Sequence, residues 1–332
     1  METPFRPWGL LHWVLSKLAA PDWSLLACLG PEERCLAVWR VLERRGQIGM
    51  GSFIEVRDPP SRFSVKLAEA LKTRRRELYS ITTPSQGVAE LDLFAKDSDI
   101  VKAADTFVLK AGENVALDIT CFPKRLFFPL IRRLLRSKTI KNLILTYSIA
   151  ASYADILAED HQTLQHLPLF GPIDLPEAPI DVAFVGIGFS PLGLPELLEP
   201  HKREVDVRLL FPFPPGPPAF QRNWSFVGDL TKGLRINFPD PIRVGAYDLP
   251  DAFEHICEVS ERGVKQAVFA PYGPKPISAA MCLYAIASGS TVYYTQPTTY
   301  DPAYSLGVRM VGSEAEIYGY CIRIEGRDLY SL

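Results

Sequence analysis

The sequence predicts an α/β protein: a tandem duplication of a Rossmann-like, doubly wound domain with a mainly parallel sheet. Short apolar runs of strand length alternate with helical patterns along most of the 332 residues. This alternation is typical of βα units and of a parallel sheet covered on both faces. A strand–Pro-Lys–helix–strand unit also occurs twice, at residues 117–147 and 267–294, and a proline-rich break at residues 150–180 separates the two halves.

The first half contains the elements of one such domain. An apolar helix is expected within residues 1–20, packed on the body of the protein or on a partner. A strand over Trp23–Leu29 follows. The next helix runs from Pro31 to about Arg45, because proline suits a first helical turn and Glu32 and Glu33 suit its positive end. Further strands are predicted at 52–56 and 88–94, and further helices at 63–79 and 98–106, before the first Pro-Lys unit. Residues 21–155 are therefore assigned to domain 1.

The second half repeats this order. Strands are predicted over Val182–Gly186 and Val205–Phe213, and helices over Leu194–Lys202 and from Asp251 to about Arg262, before the second Pro-Lys unit. The paired features keep a slowly drifting offset, as small loop changes would produce: Asp92 with Asp248, Lys124 with Lys275, and Tyr147 with Tyr294. Residues 156–180 are assigned to a linker and 181–332 to domain 2.

Charge is distributed unevenly along the chain. Residues 1–150 carry 23 basic and 16 acidic side chains, whereas residues 151–332 carry 13 basic and 22 acidic ones. The net charge of the whole chain is −2. The first half can therefore attract anions. It lacks the strongly basic balance of a nucleic-acid-binding domain, so direct nucleic-acid binding is not expected.

The spacing of the cysteines and the hydropathy of the chain indicate the cellular compartment of the protein. The six cysteines show no CxxC or other close pairing, which favours buried free thiols in a reducing cytosol. No apolar run reaches the roughly 18 residues of a membrane span, and the N-terminus lacks a signal-peptide cleavage pattern. We expect a cytoplasmic protein that makes no membrane contact.

The two Pro-Lys turns are the first candidate ligand sites. Each follows a strand and opens a helix, where unpaired backbone N–H groups and the helix dipole favour anions. Lys124 and Arg125 in the first turn, and Lys275 and Ser278 in the second, could hold a phosphate or carboxylate. The alternative is that proline and glycine only end a strand and start a helix, leaving the lysines solvated.

The densest polar and aromatic segment spans residues 295–307. Amide and hydroxyl groups supply directional hydrogen bonds, and tyrosine supplies a stacking surface with a polar tip. Together with the end of the preceding strand, this segment could shape a pocket for a purine or sugar, with the candidate residues Tyr294, Gln296, Tyr300 and Tyr304. It could equally be an ordered loop that packs its tyrosines on its own domain.

Several cofactor motifs are missing or incomplete, so no cofactor or metal is expected. Gly186-Ile187-Gly188 lacks the third glycine of a dinucleotide fingerprint, and no P-loop, HExxH motif or GxSxG elbow occurs. His161 and His166 are five residues apart, which is wrong for one helix face. Asp118, near the end of an apolar strand, is the one candidate catalytic group: it could act as a base or bind a ribose, or it could cap the neighbouring loop. The recurrence of Asp92 and Asp248 favours a turn or cap role.

Three motifs together resemble an uncharacterised prokaryotic family of two-domain Rossmann-like proteins associated with antiviral defence loci. They are Gly30-Pro31-Glu32-Glu33-Arg34, Asp118-Ile119-Thr120 ahead of Pro123-Lys124-Arg125, and Gly273-Pro274-Lys275-Pro276. The resemblance implies a bacterial cytosolic protein that works with neighbouring gene products. It supplies no catalytic residues.

Three functions remain open at this stage. The first is a nucleotide-binding or phosphorylated-ligand-binding sensor or effector of a bacterial defence system. The second is a non-catalytic scaffold that assembles with protein partners from the same locus through its N-terminal helix and its oppositely charged halves. The third is a nucleotide-processing transferase or hydrolase. Whether the chain is an enzyme is left open.

Overall fold

The computed structural model describes residues 5–18, 20–81, 88–153, 158–172, 180–188, 205–213, 219–234 and 241–332. The chain forms two compact units: residues 1–160 with 298–329, and residues 161–297 with 330–332. The predicted division placed all of 181–332 in one domain. The structure instead groups residues 298–329 with the first unit, because a C-terminal strand pairs with the first sheet. The predicted helix Leu194–Lys202 lies outside the described residues.

The first unit is built on an eight-stranded sheet. Its main path runs β1-β19-β6-β5-β2-β3-β4, with β20 paired to β19. Strands β2 to β6 are mutually parallel, whereas β19 runs antiparallel to β6 and to β1. The strands of this sheet are β1 (Trp8–Leu10), β2 (Trp23–Leu29), β3 (Ile48–Arg57), β4 (Val88–Asp92), β5 (Asn114–Asp118), β6 (Asn142–Ser148), β19 (Ile317–Ile324) and β20 (Arg327–Asp328).

Short strands and five helices complete the first unit. The strand β7 (Ala150–Tyr153) pairs with β16 (Ser305–Val308), and β17 (Met310–Val311) pairs with β18 (Glu314–Ala315). Two further strands, β8 (Ala158–His161) and β15 (Pro297–Tyr300), lie where the chain passes from one unit to the other. The helices are α1 (Leu11–Leu18), α2 (Ala37–Arg44, preceded by a 3-10 turn), α3 (Ser64–Ile81), α4 (Asp97–Val108) and α5 (Lys124–Arg136).

Burial follows the apolar pattern of the sequence in this unit. Every residue of β2 is buried, as expected for a central parallel strand with both faces covered. The N-terminal helix α1 belongs to this core: Leu11, Val14 and Leu15 are each at most 2% exposed. Of the two predicted packing modes, the structure therefore shows packing on the protein's own body.

The second unit is built on a six-stranded sheet in the order β12-β11-β10-β13-β14-β9. All neighbours are parallel except β9, which runs antiparallel to β14. Its strands are β9 (Gln165–His166), β10 (Val182–Gly186), β11 (Asp206–Phe213), β12 (Ile242–Gly245), β13 (Ala267–Pro271) and β14 (Thr291–Tyr294). Its helices are α6 (Ala219–Leu234), α7 (Leu249–Val259) and α8 (Lys275–Ser288), and Gly289 ends α8 with a left-handed φ of 74°.

The parallel strands of the two sheets follow one order. In each sheet the first strand in sequence lies between the second and the fourth, with the third and fifth strands outside them. The predicted mixed α/β fold with mostly parallel sheets is confirmed.

The segment predicted as a linker contains ordered structure. Its strand β9 pairs with β14 of the second sheet, and its residues Leu167 and Phe170 are buried.

Candidate functional site

Both Pro-Lys turns lie at the switch point of their sheet, where strand order reverses. The reversal falls between β2 and β5 in the first sheet and between β10 and β13 in the second. Ligands of open α/β sheets bind at this place, outside the carboxyl ends of the strands. Helices α5 and α8 begin there with Lys124 and Lys275, each after a capping proline of nearly equal backbone angles (φ −58°, ψ 149° at Pro123; φ −54°, ψ 150° at Pro274).

The two basic residues of the first turn are held differently. Lys124 is buried, with 8% of its surface exposed. The guanidinium of Arg125 lies 5.7 Å from the centre of the Phe94 ring, and none of the described residues accepts a hydrogen bond from its buried Nε. Burial lowers the pKa of Arg125, and the charge of Asp97 opposes that shift. Arg125 therefore combines a stacked cation with an unused donor.

Asp118 ends β5 and is 1% exposed. Its Oδ1 accepts hydrogen bonds from the Thr120 backbone N–H at 3.1 Å and from the Thr120 hydroxyl. The Thr120 hydroxyl oxygen accepts in turn from the backbone N–H of Ser148 at 2.9 Å. This arrangement joins the ends of β5 and β6 through a loop contact of the capping kind.

A buried polar cluster next to this turn is built around Arg34, which follows the end of β2. Arg34 is 1% exposed and pairs with Glu32 through both Nε and Nη2. Its Nη1 donates to the Ser148 carbonyl at 2.8 Å and to the Tyr153 hydroxyl at 3.4 Å, and its Nη2 donates to the Tyr304 hydroxyl at 3.3 Å.

The Glu32 carboxylate also accepts hydrogen bonds from two hydroxyl groups on the other side of this cluster. The Tyr304 hydroxyl donates to its Oε1 at 2.9 Å, and the Ser305 hydroxyl donates to its Oε2. Burial raises the pKa of Tyr304 well above its usual range, and the charge of Glu32 adds to that shift. Tyr304 therefore stays a neutral donor. The cluster ties the end of β2 to β6, β7 and β16, which makes it a structural clamp.

A pair of carboxylates occupies the same edge of the first sheet, further from the switch point. Asp58 directly follows β3, whose last residue, Arg57, is in register with Asp92. Burial raises the pKa of Asp58 to about 6, and the charge of Asp92 adds to that shift. Asp92 accepts from the Phe94 backbone N–H at 2.7 Å. Asp248 similarly caps α7 by accepting from Asp251 N–H at 2.9 Å. The turn-and-cap role predicted for Asp92 and Asp248 is confirmed.

The switch point of the second sheet is closely packed by glycines. A Cβ atom on Gly188 would lie 2.1 Å from the Tyr272 carbonyl oxygen, and one on Gly186 would lie 3.2 Å from the Gly273 backbone nitrogen. The incomplete fingerprint therefore serves close loop packing. Ser278, 1% exposed, donates to the Gly273 carbonyl at 3.2 Å, so its hydroxyl closes the turn. Lys275 is half-buried at the start of α8.

Aromatic rings line the carboxyl edge of the second sheet. The Tyr272 ring lies 5.5 Å from that of Tyr294 and 6.1 Å from that of Phe226, centre to centre. The Tyr272 hydroxyl is 3.2 Å from the Thr295 hydroxyl. Gln296 is 3% exposed and donates through Nε2 to the Pro297 carbonyl at 3.0 Å. These groups offer stacking surface and directed polar atoms next to Lys275.

The predicted pocket segment is divided between the two units. Tyr294 and Gln296 belong to the second unit, and Tyr300 and Tyr304 belong to the first. Tyr300 is half-buried in β15, and Tyr304 is part of the Arg34 cluster. Sequence reasoning did not identify these site-lining residues: Glu32, Arg34, Ser148, Asn223, Phe226, Tyr272 and Ser305. The Gly30–Arg34 motif is a sequence signal for two of them, but its pattern predicts a helix start, whereas in the structure Glu32 pairs with Arg34 and α2 begins at Ala37.

The described part of the chain holds no group of three or more metal-ligating side chains arranged around one point. Within the same residues, no helix combines the length and the apolar character that crossing a membrane requires. The six cysteines are free thiols, and Cys121 is the one that is not fully buried.

No protein-family model and no curated protein sequence matches this chain. Among solved structures it is similar to a Type III CRISPR defence DNA nuclease activated by cyclic oligoadenylate. That match has a TM-score of 0.50 and 10% identity, and it covers 83% of this chain but 65% of the nuclease, somewhat less than two thirds of its length. A bacterial methyltransferase domain matches with a TM-score of 0.24 and 12% identity, over 42% of this chain and 62% of its own.

Proposed function

We propose that this chain binds a nucleotide or a similar phosphorylated ligand and acts as a sensor component of a bacterial antiviral defence system. The supporting observation is that the basic start of a helix, after a capping proline, recurs at the switch point of both parallel sheets. Phosphates are bound at such helix starts because backbone N–H groups and the helix dipole point at them. The aromatic edge beside Lys275 would hold the base.

Similarity to a nuclease activated by cyclic oligoadenylate selects the first ligands to test. A suitable panel contains AMP, ATP, linear tri-adenylate and cyclic tetra-adenylate, with guanine and uracil counterparts. Binding is measured by isothermal titration calorimetry. We expect micromolar or tighter binding of one adenine nucleotide, and a loss of about tenfold or more in Lys275→Ala, since a charge-assisted hydrogen bond contributes about 1.5–3 kcal/mol.

Two lysine variants serve as comparisons. Lys110→Ala removes an exposed lysine of the first unit and should leave the affinity unchanged. Lys124→Ala tests whether the buried first turn takes part. If the wild-type protein binds no member of the panel, or if Lys275→Ala binds as tightly as the wild type, the proposal is wrong.

We also infer that the two units are copies of one ancestral domain. The common strand order, the matched prolines and the tyrosines at the ends of β6 and β14 support this inference. Superposing the two parallel sheets should bring the Cα atoms of Lys124 and Lys275 together. A shift in the register of equivalent strands would count against it.

A scaffold role has one specific observation in its favour. The β17–β18 hairpin presents Met310 and Val311 with 53% of each side chain exposed, and Leu306 nearby is 56% exposed. Exposed apolar groups of this kind are typical of protein contacts. Co-purification with neighbouring gene products should then be lost in Met310→Asp/Val311→Asp while thermal stability is kept. Retention of every partner would contradict this role.

A further inference from the structure

Asn223 carries a side-chain donor for which the described residues supply no acceptor. The residue is 7% exposed, and its Nδ2 makes no hydrogen bond. Buried polar groups are nearly always paired, and an unpaired one costs about 1–3 kcal/mol of desolvation. Within the part of the chain that the structure describes, the Asn223 donor is therefore available to a ligand.

The position of Asn223 is defined by the helix that carries it. It is the fifth residue of α6, which connects the parallel strands β11 and β12. The crossover helix of a βαβ unit runs back along the sheet, so its first turns lie at the carboxyl edge of the strands. Asn223 therefore shares the sheet edge at which α8 begins with Lys275.

The direction of the side chain follows from helical spacing. Asn223 and Phe226 are three residues apart and share one face of α6. Phe226 is fully buried, with its ring 6.1 Å from that of Tyr272. Asn223 thus lies one turn nearer the helix start, on the face directed at the Tyr272–Tyr294 ring pair.

An aromatic surface lies on the outer side of the same helix turn. Trp224 is 55% exposed, and its ring is 5.3 Å from that of Phe211. Phe213, at the end of β11, is 48% exposed. Exposed aromatic rings at the carboxyl edge of a parallel sheet can stack on nucleobases.

From this placement we propose that Asn223 recognises an adenine base, with Nδ2 donating to ring nitrogen N7 and Oδ1 accepting from the N6 amino group. A carboxamide matches this pair of adenine atoms in a bidentate manner. The base stacks on the Tyr272–Tyr294 ring pair, at which this face of α6 is directed, and the phosphates extend along the same sheet edge toward Lys275. The assignment rests on the proposed nucleotide-binding function and specifies which base is read and by which residue.

The test compares the tightest-binding adenine nucleotide of the panel with its 7-deaza counterpart, which lacks the N7 acceptor. Wild-type protein should bind the 7-deaza compound about 2- to 12-fold more weakly, the range of the one hydrogen bond that is lost. Asn223→Leu loses both hydrogen bonds, so it should bind the parent nucleotide about 5- to 150-fold more weakly, and should no longer distinguish the two compounds. Ser225→Ala, an exposed position on the same helix, should behave as the wild type.

Thermal unfolding without ligand separates recognition from a structural role. Because Asn223→Leu removes an unpaired buried donor, its Tm should equal or exceed that of the wild type. A clearly lower Tm, or equal wild-type binding of the parent and 7-deaza compounds, would overturn the assignment while leaving nucleotide binding standing. Binding of guanine or uracil nucleotides alone would overturn it too. If the wild type binds no nucleotide, the proposed function itself fails.

Discussion

The two parallel sheets share one strand order, yet their carboxyl edges are finished in different ways. At the first edge most polar groups bond to one another, as Arg34 does with Glu32 and Asp118 with Thr120, although Arg125 Nε has no partner among the described residues. At the second edge the Tyr272 and Tyr294 rings lie close together, and the Asn223 amide donor has no acceptor among the residues that the structure describes. A satisfied polar network stabilises one arrangement, whereas unsatisfied groups favour a ligand. From this difference we expect a mainly structural role for the first edge, and we propose the second edge as the place where a ligand binds.

The largest loss of folding stability is expected when the Arg34–Glu32 cluster at the carboxyl edge of the first sheet is broken. Arg34→Met leaves the buried Glu32 carboxylate without its cation, and loss of one partner of a buried pair costs about 3–5 kcal/mol. Urea denaturation followed by circular dichroism should show this loss. As a matched control, Arg133→Met removes an exposed pair with Asp105 and should cost about 1 kcal/mol or less. Equal losses in the two variants would contradict the structural role of the cluster.

A smaller loss of folding stability is expected when a methyl group is added at the carboxyl edge of the second sheet. Gly188→Ala places a Cβ atom 2.1 Å from a backbone oxygen that cannot move away cheaply. Overpacking of this kind costs about 1–3 kcal/mol, which calorimetric unfolding would register as a lower Tm. Gly228→Ala, where nothing lies within 4 Å, should instead stabilise α6 by about 0.5–1 kcal/mol. A tolerated Gly188→Ala would show that the loops of this edge are loosely packed.

The smallest effect, and the one that depends on pH, concerns Asp58. Burial, with the charge of Asp92, raises the pKa of the Asp58 carboxyl from 3.8 to about 6 in the folded chain. Between these values the folded state binds more protons, so stability falls as pH rises. Asp58→Asn should therefore match the wild type near pH 4 and exceed it by about 1–2 kcal/mol above pH 7.

Stability measured across this pH range checks the prediction. The exposed Asp229→Asn is the control for losing one charge. A constant difference between Asp58→Asn and the wild type at every pH would contradict the burial of the Asp58 carboxyl.

Local patterns predicted the parallel strands well. The strands Trp23–Leu29 and Val182–Gly186 have the predicted bounds, and α8 begins at the predicted lysine. Central parallel strands are buried on both faces, so they read as continuous apolar runs whatever their neighbours are. Proline and glycine then define where each strand ends and the next helix begins.

The candidate site was predicted less completely. Lys275 begins the helix at the second switch point, but Asn223 carries no motif. Tyr304, a candidate for the ligand pocket, bonds to Glu32 in the structure. An asparagine becomes informative only when its burial and its missing acceptor are known, and both depend on residues distant in sequence.

The sequence by itself determined the alternation of strands and helices, the two Pro-Lys turns and the absence of the common cofactor motifs. These properties depend on residues that are close together in the chain. The tertiary structure decided that β19 joins the first sheet, that Arg34 pairs with Glu32 inside its unit and that none of the described residues accepts a hydrogen bond from Asn223 Nδ2. Strand pairing and buried hydrogen bonds join residues up to 273 positions apart, and no local pattern specifies which distant partner a polar group will meet.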